Sequence, residues 1–145
     1  MIRYGRAGKE DLEPLFSLLK EQIDGYEDLS AYPYEKVMDW VRRNLEQNIH
    51  RYRTIFYEGE KAGYFLLHQE GELWQLDDFY LLPQWRGKGI GTQVLQECME
   101  KCSGPVSLYV FVENTKAVAL YTRLGFRIQK KIAQSRYFMV QPEKN

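Results

Sequence analysis

Leu12, Leu15, Phe16, Leu19 and Ile23 recur at helical spacing among polar positions, which predicts a first helix capped by Asp11 and ending near Gly25. After the polar loop 24–33, Val37, Val41 and Leu45 follow Pro33 at four-residue spacing and predict a second helix ending at Gln47-Asn48. A short strand, Ile2-Arg3-Tyr4, precedes both. The period then changes. Residues 52–57 and 64–68 are β-rich runs flanking the turn 58–63, and a further turn at Glu70-Gly71 leads into a strand over 72–82. Within it the alternation of Trp74 and Leu76 passes to Phe79 and Leu81 across Asp77-Asp78, the pattern of a bulge or a change of face.

Helical spacing returns from Gly89 through Ile90, Val94, Leu95, Cys98, Met99 and Cys102, and Ser103-Gly104-Pro105 stops it. A strand over 106–112 follows. Asn114 caps a last helix with Ala117, Val118, Leu120, Tyr121 and Leu124 inward and Gly125 as its left-handed exit, before strands at 126–128 and 135–140. The order is mixed α/β with meanders at both ends, without repeats or a linker, so residues 1–145 are expected to form one domain.

At 145 residues the chain is long enough for one continuous core, and 44% apolar with 28% charged residues is a globular composition. No apolar run approaches the roughly 20 residues a membrane helix needs, and the first residues carry no signal-peptide pattern. A cytoplasmic protein with no membrane and no nucleic-acid partner is expected. Net charge is zero, yet residues 1–78 carry 10 Lys and Arg against 16 Asp and Glu, whereas residues 79–145 carry 10 against 4. That asymmetry suits a cationic ligand on the first half and an anionic one on the second. Cys98 and Cys102 lack a second Cys or His pair, and His50 and His68 stand alone in sequence, so structural thiols and no metal are expected.

The segment Arg86-Gly87-Lys88-Gly89-Ile90-Gly91 follows a strand and opens a helix, where free backbone N–H groups and the helix dipole bind anions. A Walker loop fails because Gly89 follows Lys88, and the dinucleotide fingerprint fails on glycine spacing. Taken alone, the segment is a pyrophosphate cradle or a glycine-rich turn without a ligand.

About 25 residues on comes Asn114-x-x-Ala117-x-x-Leu120-Tyr121-x-x-x-Gly125-Phe126. The two motifs together resemble the GNAT superfamily of acyl-CoA-dependent N-acetyltransferases: Arg86, Gly89 and Gly91 match its Gln/Arg-x-x-Gly-x-Gly/Ala motif, and residues 114–126 match its later one. The resemblance is strong over 72–128 and elsewhere rests on element order. It implies a mixed, mostly antiparallel sheet of about seven strands flanked by about four helices, with the strands 72–82 and 106–112 splayed. Acetyl-CoA is the implied cosubstrate. Arg86, Gly87, Lys88, Gly89, Ile90, Gly91 and Thr92 would hold its pyrophosphate, Phe79, Tyr80 and Leu81 would lie along its pantetheine arm, and Asn114 would contact that arm.

Tyr121 stands at the family's proton-donor position, which suits protonating a thiolate. An amine of pKa near 10 must lose a proton before attack, and Asp77 and Asp78 are the local carboxylates for that step. Leu76 to Leu81 is similar to a segment of the spermidine/spermine acetyltransferase branch, which places Asp77 at the suggested base position. Protein N-terminal acetyltransferases of the family often carry a Glu where this chain has Tyr109, a departure that argues against such substrates. Asp24, Tyr26, Glu27, Asp28, Tyr32 and Tyr34 add carboxylates and aromatic faces suited to a small cationic amine. No Ser or Cys triad is visible, so direct transfer in a ternary complex, by a monomer or homodimer, is the expected reaction. The alternative is a catalytically silent acyl-CoA-binding sensor or interaction module.

Overall fold

The computed structural model describes residues 1–26 and 33–141. The elements are β1 (Ile2–Arg6), α1 (Leu12–Tyr26), α2 (Tyr34–Asn48), β2 (Arg53–Tyr57), β3 (Glu60–Glu70), β4 (Leu73–Leu81), α3 (Ile90–Lys101), β5 (Val106–Phe111), α4 (Thr115–Arg123), β6 (Arg127–Ile132) and β7 (Arg136–Gln141). The strands form one mixed sheet in the order β1-β2-β3-β4-β5-β7-β6, the architecture the resemblance implied. Two compact units divide the chain: Met1–Leu66 with Asp78–Leu82, and Leu67–Asp77 with Pro83–Asn145. No helix among the described residues is long and apolar enough to cross a membrane.

In the first unit β1, β2 and β3 are antiparallel, with Ile2 opposite Tyr57 and Tyr57 opposite Glu60. The β2–β3 turn needs only Glu58 and Gly59, both left-handed at φ 51° and 84°, as primed two-residue hairpin turns require. Residues 60–63, expected in the turn, therefore belong to β3. The apolar stripes of α1 and α2 place Leu15, Leu18 and Leu45 in one core cluster with Tyr52, Tyr64 and Leu66. Gly63 permits a close backbone approach: a Cβ there would lie 2.2 Å from the Tyr80 carbonyl oxygen.

Asp11 is not the N-cap of α1. It ends a 3-10 turn, Lys9–Asp11, and is 1% exposed. Its carboxylate accepts from the Gly8 N–H at 2.9 Å, Lys61 Nζ at 2.9 Å and the Tyr64 hydroxyl at 2.7 Å. Burial opposes its charge, but the Gly8, Lys61 and Tyr64 donors outweigh that penalty and hold its pKa below the ordinary 3.8. The buried anion ties the entry of α1 to β3.

In the second unit β4 and β5 are parallel over three residue pairs, Trp74 to Leu76 against Val106 to Leu108. The Trp74 N–H donates to the Pro105 carbonyl at 2.9 Å, and the Ser107 hydroxyl donates to the Trp74 carbonyl at 3.1 Å. The strand β7 pairs antiparallel with both β5 and β6. The strand β6 outruns its expectation by four residues because Gln129-Lys130-Lys131 masks it, and lysines on an edge strand discourage pairing with other chains.

Candidate active site

The glycine turn lies in the second unit, behind a 3-10 turn at Pro83–Trp85. Gly87 and Gly89 adopt φ 75° and 82°, and a Cβ on either would meet nothing within 4 Å. Conformation, not crowding, therefore demands glycine, and the space over the turn is open. Gly89 is the residue before α3, and its carbonyl accepts from the Gln93 N–H at 3.3 Å. The N–H groups of Ile90, Gly91 and Thr92 precede that bond and have no partner within the helix. Ile90 is 2% exposed, so its side chain anchors α3 in the core. Arg86 and Lys88 are exposed beside the turn.

The helix α4 is held at both ends. Asn114 Oδ1 accepts from the Ala117 N–H at 3.4 Å, so this residue caps the helix and retains its amide NH₂ as a donor. At the exit Gly125 is left-handed at φ 95°, the Gly125 N–H reaches the Thr122 carbonyl at 3.1 Å, and the Phe126 N–H reaches the Tyr121 carbonyl at 3.0 Å. That closure sets the Phe126 ring edge-on to Tyr121, with centroids 5.6 Å apart. Tyr121 is 8% exposed, and burial pushes its phenol above the ordinary value of 10. Its proton is firmly held.

Asp77 and Asp78 differ in conformation and in partners. Asp77 Oδ2 lies 2.8 Å from His68 Nε2, and Asp77 Oδ1 accepts from Gln75 Nε2 at 2.8 Å. His68 Nδ1 lies 3.2 Å from Glu70 Oε1. Asp78 stands in the first unit with a left-handed φ of 49°, where the alternation of the sequence breaks, and its Oδ2 accepts from the Tyr52 hydroxyl at 2.6 Å. His68 stands alone in the sequence, which hides its pairing with Asp77. The signal was the turn at Glu70-Gly71, since a hairpin folded there brings residue 68 within cross-strand reach of 75 and 77.

Phe79, Tyr80 and Leu81 complete β4 in the first unit. Tyr80 packs against that unit's core cluster, and the Leu82 N–H donates to the Ala62 carbonyl at 2.7 Å. Among the acceptor residues, Asp24 is paired with Lys20 Nζ at 2.7 Å and with the Tyr34 hydroxyl at 2.7 Å, and these donors lower its pKa, Lys20 foremost. A neighbouring lysine already balances the charge expected to attract a cation. Glu27, Asp28 and Tyr32 lie outside the described residues. Tyr109 is 44% exposed and packs on Phe138 at 5.0 Å. Cys98 is 7% exposed and burial pushes its thiol up to about 12, which leaves it a poor nucleophile.

Comparison with known proteins identifies the family and the fold. Residues 12–126 match the acetyltransferase (GNAT) family. The chain is 23% identical to the peptidyl-lysine N-acetyltransferase YjaB of Salmonella typhimurium, over 88% of this chain and 85% of that protein. It is 26% identical to the spermidine N(1)-acetyltransferase of Escherichia coli K12, over 77% of this chain and 67% of that protein. Its fold matches that of the PaiA N-acetyltransferase of Thermoplasma acidophilum, solved in complex with coenzyme A, with TM-score 0.75, 21% identity and 99% of both chains covered.

Proposed function

As a member of the acetyltransferase (GNAT) family the chain is an acetyl-CoA-dependent N-acetyltransferase, and we propose that it acetylates a small cationic primary amine by direct transfer in a ternary complex. On this reading residues 1–145 act as a single transferase domain, as a monomer or homodimer, in the cytoplasm. The observation that carries it is the pairing, within one unit, of an open left-handed glycine turn at the start of α3 with a helix α4 that fixes Tyr121 by its Gly125-Phe126 exit.

The residues present fit acetyl-CoA. The N–H groups of Ile90, Gly91 and Thr92, with Arg86 and Lys88 beside the open turn of Gly87 and Gly89, suit a pyrophosphate. In the second unit the Asn114 amide NH₂ suits an amide-bearing arm, and in the first unit the backbone of Phe79, Tyr80 and Leu81 suits one as well. When bound, acetyl-CoA supplies an activated acetyl thioester. Asp77 is the base that takes the proton from the acceptor ammonium, because it is a partly exposed carboxylate partnered with an ionisable ring. Tyr121, whose phenol burial keeps protonated, donates its hydroxyl proton to the departing sulfur. Asp78, strained and bonded to Tyr52, shapes the strand beside the base. Nucleophilic catalysis by Cys98 does not suit its buried thiol.

The test is thiol release from acetyl-CoA against a panel of spermidine, a lysine-bearing peptide, an aminoglycoside, neutral amines and acidic amines, with products identified by mass spectrometry. Preference for the cationic members is expected. Preference for neutral or anionic amines would overturn the acceptor class, and a stable acetylated cysteine on the reaction path would overturn direct transfer.

A further inference from the structure

Each acetylation of an ammonium releases two protons from nitrogen: one replaces the acetyl group on sulfur, and the other must reach solvent. Resting on Asp77 as the base, we propose that His68 and Glu70 are the exit for that second proton. The three side chains are consecutive neighbours within the second unit, with His68 Nε2 2.8 Å from Asp77 Oδ2 and His68 Nδ1 3.2 Å from Glu70 Oε1. Exposure rises sharply at the far end: the side chains of Asp77 and His68 are 28% and 20% exposed, and that of Glu70 is 71% exposed. Gln75 occupies the other oxygen of Asp77 through an amide NH₂, which donates a hydrogen bond and cannot take a proton. The imidazole is thus the titratable partner of Asp77 among the described residues.

The step balances without any further reactant. The ammonium N–H bond breaks and an O–H bond forms on Asp77. A neutral His68 with its proton on Nδ1 turns the lone pair of Nε2 toward Asp77 Oδ2 and receives that proton there. The Nδ1 proton passes to Glu70 Oε1 and on to water, and exchange with solvent, one proton taken up at Nδ1 and one lost from Nε2, restores the starting tautomer. His68 does not touch the amine. It acts through Asp77, as a positioning and relay residue.

The experiment compares kcat for the wild type, His68→Gln, Glu70→Gln and Asp77→Asn at saturating acetyl-CoA with the fastest amine of the panel, in dilute buffer and with increasing imidazole. For His68→Gln we expect kcat to fall roughly tenfold in dilute buffer with the KM for acetyl-CoA unchanged, and to recover as imidazole rises. Exposed Glu70→Gln, which leaves the fold undisturbed, is expected to show a smaller loss with the same recovery. Asp77→Asn stays slow at every imidazole concentration. Wild-type kcat in both relay variants, or a loss that imidazole does not restore, would overturn the exit and leave the base standing. Wild-type kcat in Asp77→Asn would instead overturn the base reading, and the exit with it.

Discussion

Asp77 and Asp78 are consecutive in β4, yet their carboxylates are held in different ways. Asp77 keeps one oxygen on an ionisable imidazole and the other on an amide. Asp78 takes a left-handed backbone that costs a non-glycine residue about 1–2 kcal/mol, and accepts a 2.6 Å bond from Tyr52, itself 2% exposed. A carboxylate bonded to a neutral phenol on a strained backbone is suited to holding shape. One facing an imidazole is suited to passing protons. Adjacent identical residues thus acquire separate tasks from their partners, and neither task depends on the pair sharing a proton.

The largest effect expected is from Asp77→Asn, which lowers kcat by about 10²–10⁴ while leaving the melting temperature near that of the wild type, measured by steady-state kinetics and calorimetry. A variant as fast as the wild type would erase the distinction between the two aspartates. Tyr121→Phe follows, with kcat reduced about 10²-fold at unchanged KM for acetyl-CoA, because it removes a donor and leaves the ring packed on Phe126. Tyr52→Phe sharpens the comparison from the other side. It deprives the Asp78 carboxylate of a buried donor and lowers unfolding free energy by about 1–3 kcal/mol in urea titrations, with a smaller loss of kcat than Asp77→Asn. A Tyr52→Phe protein of full stability and no activity would show that the shaping role was assigned to the wrong carboxylate. Gly89→Val forces a β-branched residue to φ 82° and is expected to raise the KM for acetyl-CoA about tenfold, from about 1–2 kcal/mol of backbone cost.

The smallest effect concerns Asp11, a third carboxylate with a purely structural set of partners. Its folded pKa lies below the ordinary 3.8, so its stabilising contribution is complete above that unfolded value and is lost as pH falls through the lower folded one. Chemical denaturation between neutral pH and pH 3 should show this loss. In Asp11→Asn the protein is less stable at neutral pH and its pH dependence in the acid range is shallower.

Most of the fold could be read from periodicity, because the α1, α2, α3 and α4 stripes and the glycine stops are local signals. The break in alternation at Asp77-Asp78 marks an irregular strand, and the left-handed φ places the irregularity at Asp78. Two local features escaped. Asp11 looks like a cap because it precedes an apolar stripe, but Lys61 and Tyr64, some 50 residues away, recruit it as a buried anion. The strand β6 is nearly all polar and exposed, so hydrophobic alternation could not mark its length. For the site, the glycine turn and the Asn114 to Phe126 helix carry their chemistry in contiguous sequence. The His68–Asp77 pair does not, since it exists only once the hairpin has closed.

The most direct test of Asp77 as base uses acceptor amines of one carbon skeleton whose pKa is lowered stepwise by electron-withdrawing substituents, with kcat/KM measured at fixed pH for the wild type and Asp77→Asn. If Asp77 removes the ammonium proton, the ratio of wild type to variant is large, about 10² or more, for amines of pKa near 10, and shrinks toward unity for amines that arrive already neutral. A ratio that stays constant across the series would contradict the role.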